Sequence, residues 1–170
     1  QSDPTEEAAG GAKVLRASGV RVVGGVLGVE CAKVNEAWTF AVRRHRPMVT
    51  WKVAASLDAR VAGADGGPTP ITGAPTRRAV HELRAQVGAI VVGTGTALID
   101  DPELTVRLAD VRQVPPWRVV VGSRPLPPSA RVRDDQAPTL LTDEHDPLAL
   151  LDDLYRRGVR HVLLEGVPGL

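Results

Sequence analysis

Cysteine is almost missing from this sequence. Cys31 stands alone, which excludes an internal disulfide and any zinc site built from several cysteines. A small buried core residue is the role expected of it, since no nearby histidine suggests an activated thiol. Aromatic residues are only 3% of the chain, so the core has to come from Val, Leu, Ala and Ile. That composition suits a parallel sheet covered by helices. Charge excess is missing too. A net charge of +1 over 170 residues gives no basic footprint for nucleic acid. The densest basic run, RRHR at 43–46, reads as the last turn of a helix, where cations are favoured. No apolar run approaches the roughly 18 residues of a membrane span. The opening QSDPTEEAAGG lacks the basic-then-apolar order of a signal peptide. These absences lead to the expectation of a cytoplasmic protein that engages neither nucleic acid nor membrane.

What is present is an alternation of helical and strand signals. TEEAAGGAKVLRASG predicts a helix with Thr5 as N-cap and Gly19 beyond its end. VRVV at 20–23 predicts a short strand. GVECAKVNEAWTFAVRRHR at 28–46 predicts one helix stopped by Pro47, with Val34, Ala37, Trp38 and Ala41 on one face. From Pro47 the pattern changes. MVTWKVAASL at 48–57 reads as a strand buried on both faces, and the Gly/Pro-dense 58–73 as loop. A helix is expected over 74–88, with Pro75 in its first turn, an apolar stripe of Val80, Leu83 and Val87, and Gly88 at its end. AIVVG, WRVVVG, PTLLT and HVLLEG read as strands at 89–93, 117–122, 138–142 and 161–166. Between the last two, Asp146 should cap a helix lined by Leu148, Leu151, Leu154 and Tyr155 and closed by Gly158. Valine- and leucine-rich strands alternating with helices are the signature of an α/β fold.

Each apolar strand is followed by small residues: AAS after KV, GTGT after AIVV, GSR after RVVV, EG after HVLL. Ligands of open α/β sheets bind beyond the carboxyl ends of the strands. Small residues there let a ligand approach the backbone, and freed N–H groups can hold phosphate. GTGTAL lacks the third glycine of the usual dinucleotide fingerprint, and no GK[ST] loop is present. A phosphate-rich ligand therefore follows from general chemistry alone. Two adjacent carboxylates, Asp100 and Asp101, precede Pro102, which stops any helix there.

Six segments carry more information together. KVAASLDARVA, ITG, VHELRA, GTGTALIDDPELTVR, RVVVGSR and LLEG occur in this order over 47–170. They resemble the reductase domain of the bifunctional riboflavin-biosynthesis deaminase/reductase. Residues 1–46 resemble the end of that family's deaminase domain. The resemblance implies a dihydrofolate-reductase-like fold, a three-layer αβα sandwich. It also implies NADPH-dependent reduction of 5-amino-6-(5-phosphoribosylamino)uracil, with hydride delivered to ribose C1′. Lys52 and Glu165 would be catalytic. Ala54, Thr96, Asp100, Ser123 and Gly166 would contact the cofactor, and Arg84, Leu104 and Arg107 the substrate. On its residues alone Arg84 reads as a snorkelling surface arginine, and Asp100 as a turn or cap carboxylate. The family resemblance further implies a homo-oligomeric full-length enzyme.

The sequence departs from the family pattern. Pro68 and Pro70 stand where a substrate-binding Ser and a cofactor-stacking Trp are usual, and Val167 and Gly169 replace a Gly and a Thr. The H-x-E and P-C-x-x-C zinc signature of the deaminase is not in this chain, so zinc is expected only in a deaminase domain elsewhere and no deamination is assigned. The family continues with a further helix and strands, so 47–170 is expected to be an incomplete reductase domain. An inactive remnant that binds nucleotide or dimerises is the alternative. Six ordered segments argue against an unrelated phosphosugar-binding protein.

Overall fold

The computed structural model describes residues 9–63, 71–108 and 114–166. Five parallel strands form one sheet in the order β1-β5-β2-β3-β4. They are β1 (Met48–Lys52), β2 (Ala89–Gly93), β3 (Trp117–Val121), β4 (Thr139–Thr142) and β5 (His161–Glu165). The helices are α1 (Gly11–Ala17), α2 (Gly28–Val34), α3 (Glu36–Arg44), α4 (Ala74–Arg84), α5 (Thr94–Asp100) and α6 (Pro147–Arg156).

The sheet is buried between two apolar layers. One face sets Ala89, Val91, Val119 and Val162 against Leu150, Leu151 and Leu154 of α6. The other sets Ile90, Val92, Val120 and Leu163 against Val87 beyond α4, Ala97 of α5, Leu104, Leu126 and Val132. The central strands carry Val and Ile at successive positions because both faces are covered. α6 begins where Asp146 accepts the Leu148 N–H (2.9 Å) and ends at Arg156, with Gly158 at φ +89° turning the chain just beyond it. Both signals were legible, although Leu148 itself is exposed rather than part of the apolar face.

Other expectations are corrected by the structure. β1 stops at Lys52 and is an edge strand with alternating burial, Val49 and Trp51 being exposed. It is not buried on both faces. α1 starts only at Gly11, because Gly10 adopts φ +93° and breaks the longer helix; the expected cap Thr5 lies outside the described residues. VRVV at 20–23 forms no strand, and Val20 and Val23 are exposed. The single helix over 28–46 is two, divided at Asn35, whose side-chain amide donates to the Cys31 carbonyl (3.0 Å). Of the expected face only Ala41 is buried, while Val34 is 86% exposed. Cys31 is exposed on α2, not a core residue. α4 ends at Arg84, short of Gly88, and Leu83 of its stripe is exposed. Arg43 and Arg44 do occupy the last turn of α3.

α5 was not expected at all. GTGTALID is poor in helix-forming residues. It folds because Thr94 and Ala97 bury against the sheet, and Asp101 ends it in a left-handed conformation, φ +38°. Pro68 and Pro70, Val167 and Gly169 lie outside the described residues. Among the described residues no helix is long and apolar enough to cross a membrane.

Candidate active site

Parallel pairing brings the carboxyl ends of all five strands to one edge of the sheet. There Lys52 and Glu165, far apart in sequence but adjacent in space, are direct register partners on β1 and β5. Partners in parallel strands point to the same face, so both side chains share the face covered by α4 and α5.

α4 delivers Arg84 to Glu165. Nε donates to Oε1 and Nη2 to Oε2, both at 2.7 Å. Nη1 donates to the Thr105 carbonyl at 3.1 Å. The two side chains are only 11% and 9% exposed. Two parallel charge-assisted hydrogen bonds satisfy a carboxylate that would otherwise be costly to bury. The predicted substrate arginine and the predicted catalytic carboxylate thus hold each other, and Arg84 is not a snorkelling surface residue.

Arg107 lies in the same neighbourhood, on the turn that Arg84 grips. Its guanidinium is exposed and pairs with Glu103, which also takes Arg131. Its backbone N–H donates to Nδ1 of His81 (3.2 Å). His81 is held below its ordinary pKa, first by burial and then by Arg84 and Arg107, with Glu165 and the Thr105 carbonyl opposing. Leu104 was expected to line the substrate pocket with its backbone. Its side chain is core, 1% exposed, so only its backbone, at φ +51°, remains to face a ligand.

The predicted cofactor residues divide into two groups. Thr96 and Gly166 meet: a Cβ on Gly166 would fall 2.7 Å from Thr96 Oγ1, and φ there is +97°. The indole N–H of Trp51 donates to the Gly166 carbonyl (3.1 Å). Two strands away, past β3, the same device recurs, with Gly122 at φ +135° and its Cβ position 2.6 Å from Thr94 Oγ1. Only glycine fits such a backbone at such distances. Ala54, Asp100 and Ser123 lie just past β1, at the end of α5 and just past β3. Among the described residues their side chains form no hydrogen bond or ion pair with the rest of the set. Asp101 takes a different part from Asp100, accepting the Arg131 N–H at 2.9 Å.

Sequence reasoning missed His81, Thr94, Glu103, Arg124 and Arg131. Arg124 follows Ser123 at the end of β3, and its guanidinium lies 2.9 Å from a Cβ built on Gly95. The charge in GSR was the available signal. A cleft of about 420 Å³, lined by Glu103, Ser129, Arg131, Arg133, Asp134 and Gln136 among others, contains none of the predicted ligand residues.

Residues 47–170 match the family model described as the RibD C-terminal domain. The chain belongs to the RibD C-terminal domain family. It is 46% identical over 172 residues to the riboflavin biosynthesis protein RibD of Mycobacterium tuberculosis, covering 99% of this chain and 50% of that protein. It is 40% identical over 138 residues to a 2,5-diamino-6-ribosylamino-4(3H)-pyrimidinone 5′-phosphate reductase of Methanothermobacter thermautotrophicus, covering 74% of this chain and 63% of that protein. Among solved structures, RibD of Acinetobacter baumannii superposes with a TM-score of 0.87 at 30% identity, covering 98% of this chain and 53% of that one. The Thermotoga maritima deaminase/reductase superposes at 0.85 and 31% identity, covering 96% and 51%. The chain thus spans about half the length of the RibD relatives it matches. Its α/β architecture is the dihydrofolate-reductase-like fold of RibD reductase domains.

Proposed function

We propose that this chain carries the reductase function of riboflavin biosynthesis: NADPH-dependent conversion of 5-amino-6-(5-phosphoribosylamino)uracil to its 5-phosphoribitylamino product. The observation that carries the reading is the placement of Lys52 and Glu165 as register partners at the strand ends, on one face, with Arg84 and the Arg107 turn beside them. Arg107 offers an exposed guanidinium that a 5′-phosphate would share with or take from Glu103, and its planar fork suits that group. Lys52 holds and orients the sugar, and Glu165 orients the substrate beside it. A nicotinamide cofactor fits the neighbouring strand ends, where glycine backbones at Gly122 and Gly166 lie against the Thr94 and Thr96 hydroxyls. When bound, NADPH supplies the hydride. Arg124 adds a cation suited to the extra phosphate that separates NADPH from NADH. Lys52→Ala and Glu165→Gln should each abolish most NADPH oxidation with this substrate, and near-normal rates in either would remove that residue from the mechanism.

One observation favours a second reading. Glu165 already satisfies Arg84, so a chain locked in that pairing would bind nucleotide without turning over. Calorimetric titration with NADPH separates the two. Micromolar binding without turnover supports the second reading, and no binding counts against both.

The domain division belongs to the same proposal. Residues 47–170 form reductase domain, and 1–46 the end of a deaminase-like domain. The exposed Val14, Val23, Val29 and Val34 suit a segment whose apolar partners lie elsewhere. The full-length enzyme would be a cytoplasmic homo-oligomer, with zinc confined to its deaminase domain.

A further inference from the structure

α4 touches the 104–107 turn at two points. Arg84 Nη1 donates to the Thr105 carbonyl, and one helical turn earlier His81 Nδ1 accepts the Arg107 N–H at 3.2 Å. Residues three apart on a helix lie on one face, so the two contacts act as a pair. The turn needs holding. Leu104 is a non-glycine residue at φ +51°, a conformation that persists only where the surroundings impose it. Its buried side chain anchors one side of the turn and α4 the other.

We propose that His81 is a positioning residue for Arg107: through Nδ1 it fixes the backbone that presents the Arg107 guanidinium to a phosphomonoester. The proposal rests on the phosphate reading of Arg107 given above. A ring nitrogen that accepts an N–H carries no proton, so the hydrogen bond assigns the proton of neutral His81 to Nε2. Imidazolium cannot accept. Protonation would therefore release the Arg107 N–H and set a third cation among Arg84 of α4 and Arg107 of the turn, with the Glu165 carboxylate of β5 and the Thr105 carbonyl of the turn opposing. Acid should free the Arg107 end of the turn while Arg84 still holds Thr105, and the same ring that positions the arginine makes its positioning depend on pH.

Two substitutions separate this role from simple packing. Asn can place an oxygen where Nδ1 stands and does not titrate, whereas Ala removes the acceptor. In the full 170-residue chain at pH 7.5, the Arg107 amide should lose hydrogen-exchange protection in His81→Ala and keep it in His81→Asn. Titration with inorganic phosphate and with ribose 5-phosphate should show binding weaker by about fivefold to tenfold in His81→Ala and nearly unchanged in His81→Asn, the range of one neutral hydrogen bond. In the wild type, the protection factor of that amide should fall as the pH drops below 6.5, and in His81→Asn it should not. Unaltered protection or affinity in His81→Ala overturns the proposal. Equal losses in Ala and Asn do so too, since they point to ring packing instead of the acceptor. Failure of the parent reading looks different: the wild-type chain would then bind neither phosphate probe.

Discussion

Arg84 and Glu165 are 81 residues apart and share two hydrogen bonds of 2.7 Å at the carboxyl edge of the sheet. The pairing ties α4 to the end of β5 and neutralises the most buried carboxylate near the site. Removing one partner should cost more than the pair contributes, because the other is left charged and buried. Arg84→Met is expected to lower stability by about 3 kcal/mol in urea unfolding. Arg84→Lys keeps the charge but loses the two-pronged geometry, and should fall between Arg84→Met and the wild type. Equal stability of all three would show that the pair does not hold the fold.

Gly166 and Thr96 give a second test. A methyl group at Gly166 meets Thr96 Oγ1 at 2.7 Å and must also accept φ +97°. Gly166→Ala should therefore destabilise the strand end by about 1–2 kcal/mol from backbone strain alone, with the clash in addition. Thr96→Ala removes the clashing hydroxyl and leaves the strain. The double variant should be more stable than Gly166→Ala, and a double-mutant cycle without coupling would show that the two residues do not touch.

What the sequence announced and what it hid follow from the range of the interactions. β2, β3 and β5 were legible because burial on both faces demands runs such as AIVV, and α6 because Asp146 and Gly158 mark its ends within the chain's own turn chemistry. β1 was misread because Val49 and Trp51 make an edge strand look as apolar as a central one. Arg118 is fully buried within WRVVV. It is satisfied by Thr139 Oγ1, by the Asp134 carboxylate and by the carbonyls of Asp134 and Ala137, at least 16 residues away. No local pattern signals such a residue. The same holds for His81 and Arg107, which meet only once α4 and the turn have packed.

Acid should weaken the fold below neutral pH. His81 and His161 are both held under the ordinary 6.5, each first by burial; Arg84 and Arg107 add to the effect at His81, and Gln86 and Glu36 oppose it at His161. Between those lowered values and 6.5 the unfolded chain binds more protons than the folded one. Stability then rises with pH across that window. The contribution is fully present above 6.5 and is lost as the pH falls through the folded-state values. Urea midpoints measured from pH 7.5 down to 5 should decline, and His81→Asn with His161→Asn should flatten the slope. Asp134, held below 3.8 chiefly by its hydrogen bond with Arg118, acts only in stronger acid.

Arg124 should decide between the two nicotinamide dinucleotides. It stands past the end of β3, next to Ser123, and its guanidinium comes within 2.9 Å of the space above Gly95 on α5. No carboxylate among the described residues pairs with it, so its charge is available to a ligand. NADPH differs from NADH by one phosphate on the adenosine ribose, and an arginine fork discriminates such a group by charge and by geometry. Arg124→Ala should weaken NADPH binding by about tenfold, the scale of one charge-assisted hydrogen bond, and leave NADH binding nearly unchanged. Arg124→Lys should recover part of the loss, since charge survives and the fork does not. Parallel titrations of the two cofactors check the assignment. An equal loss for both would mean that Arg124 supports α5 through Gly95 and reads no phosphate.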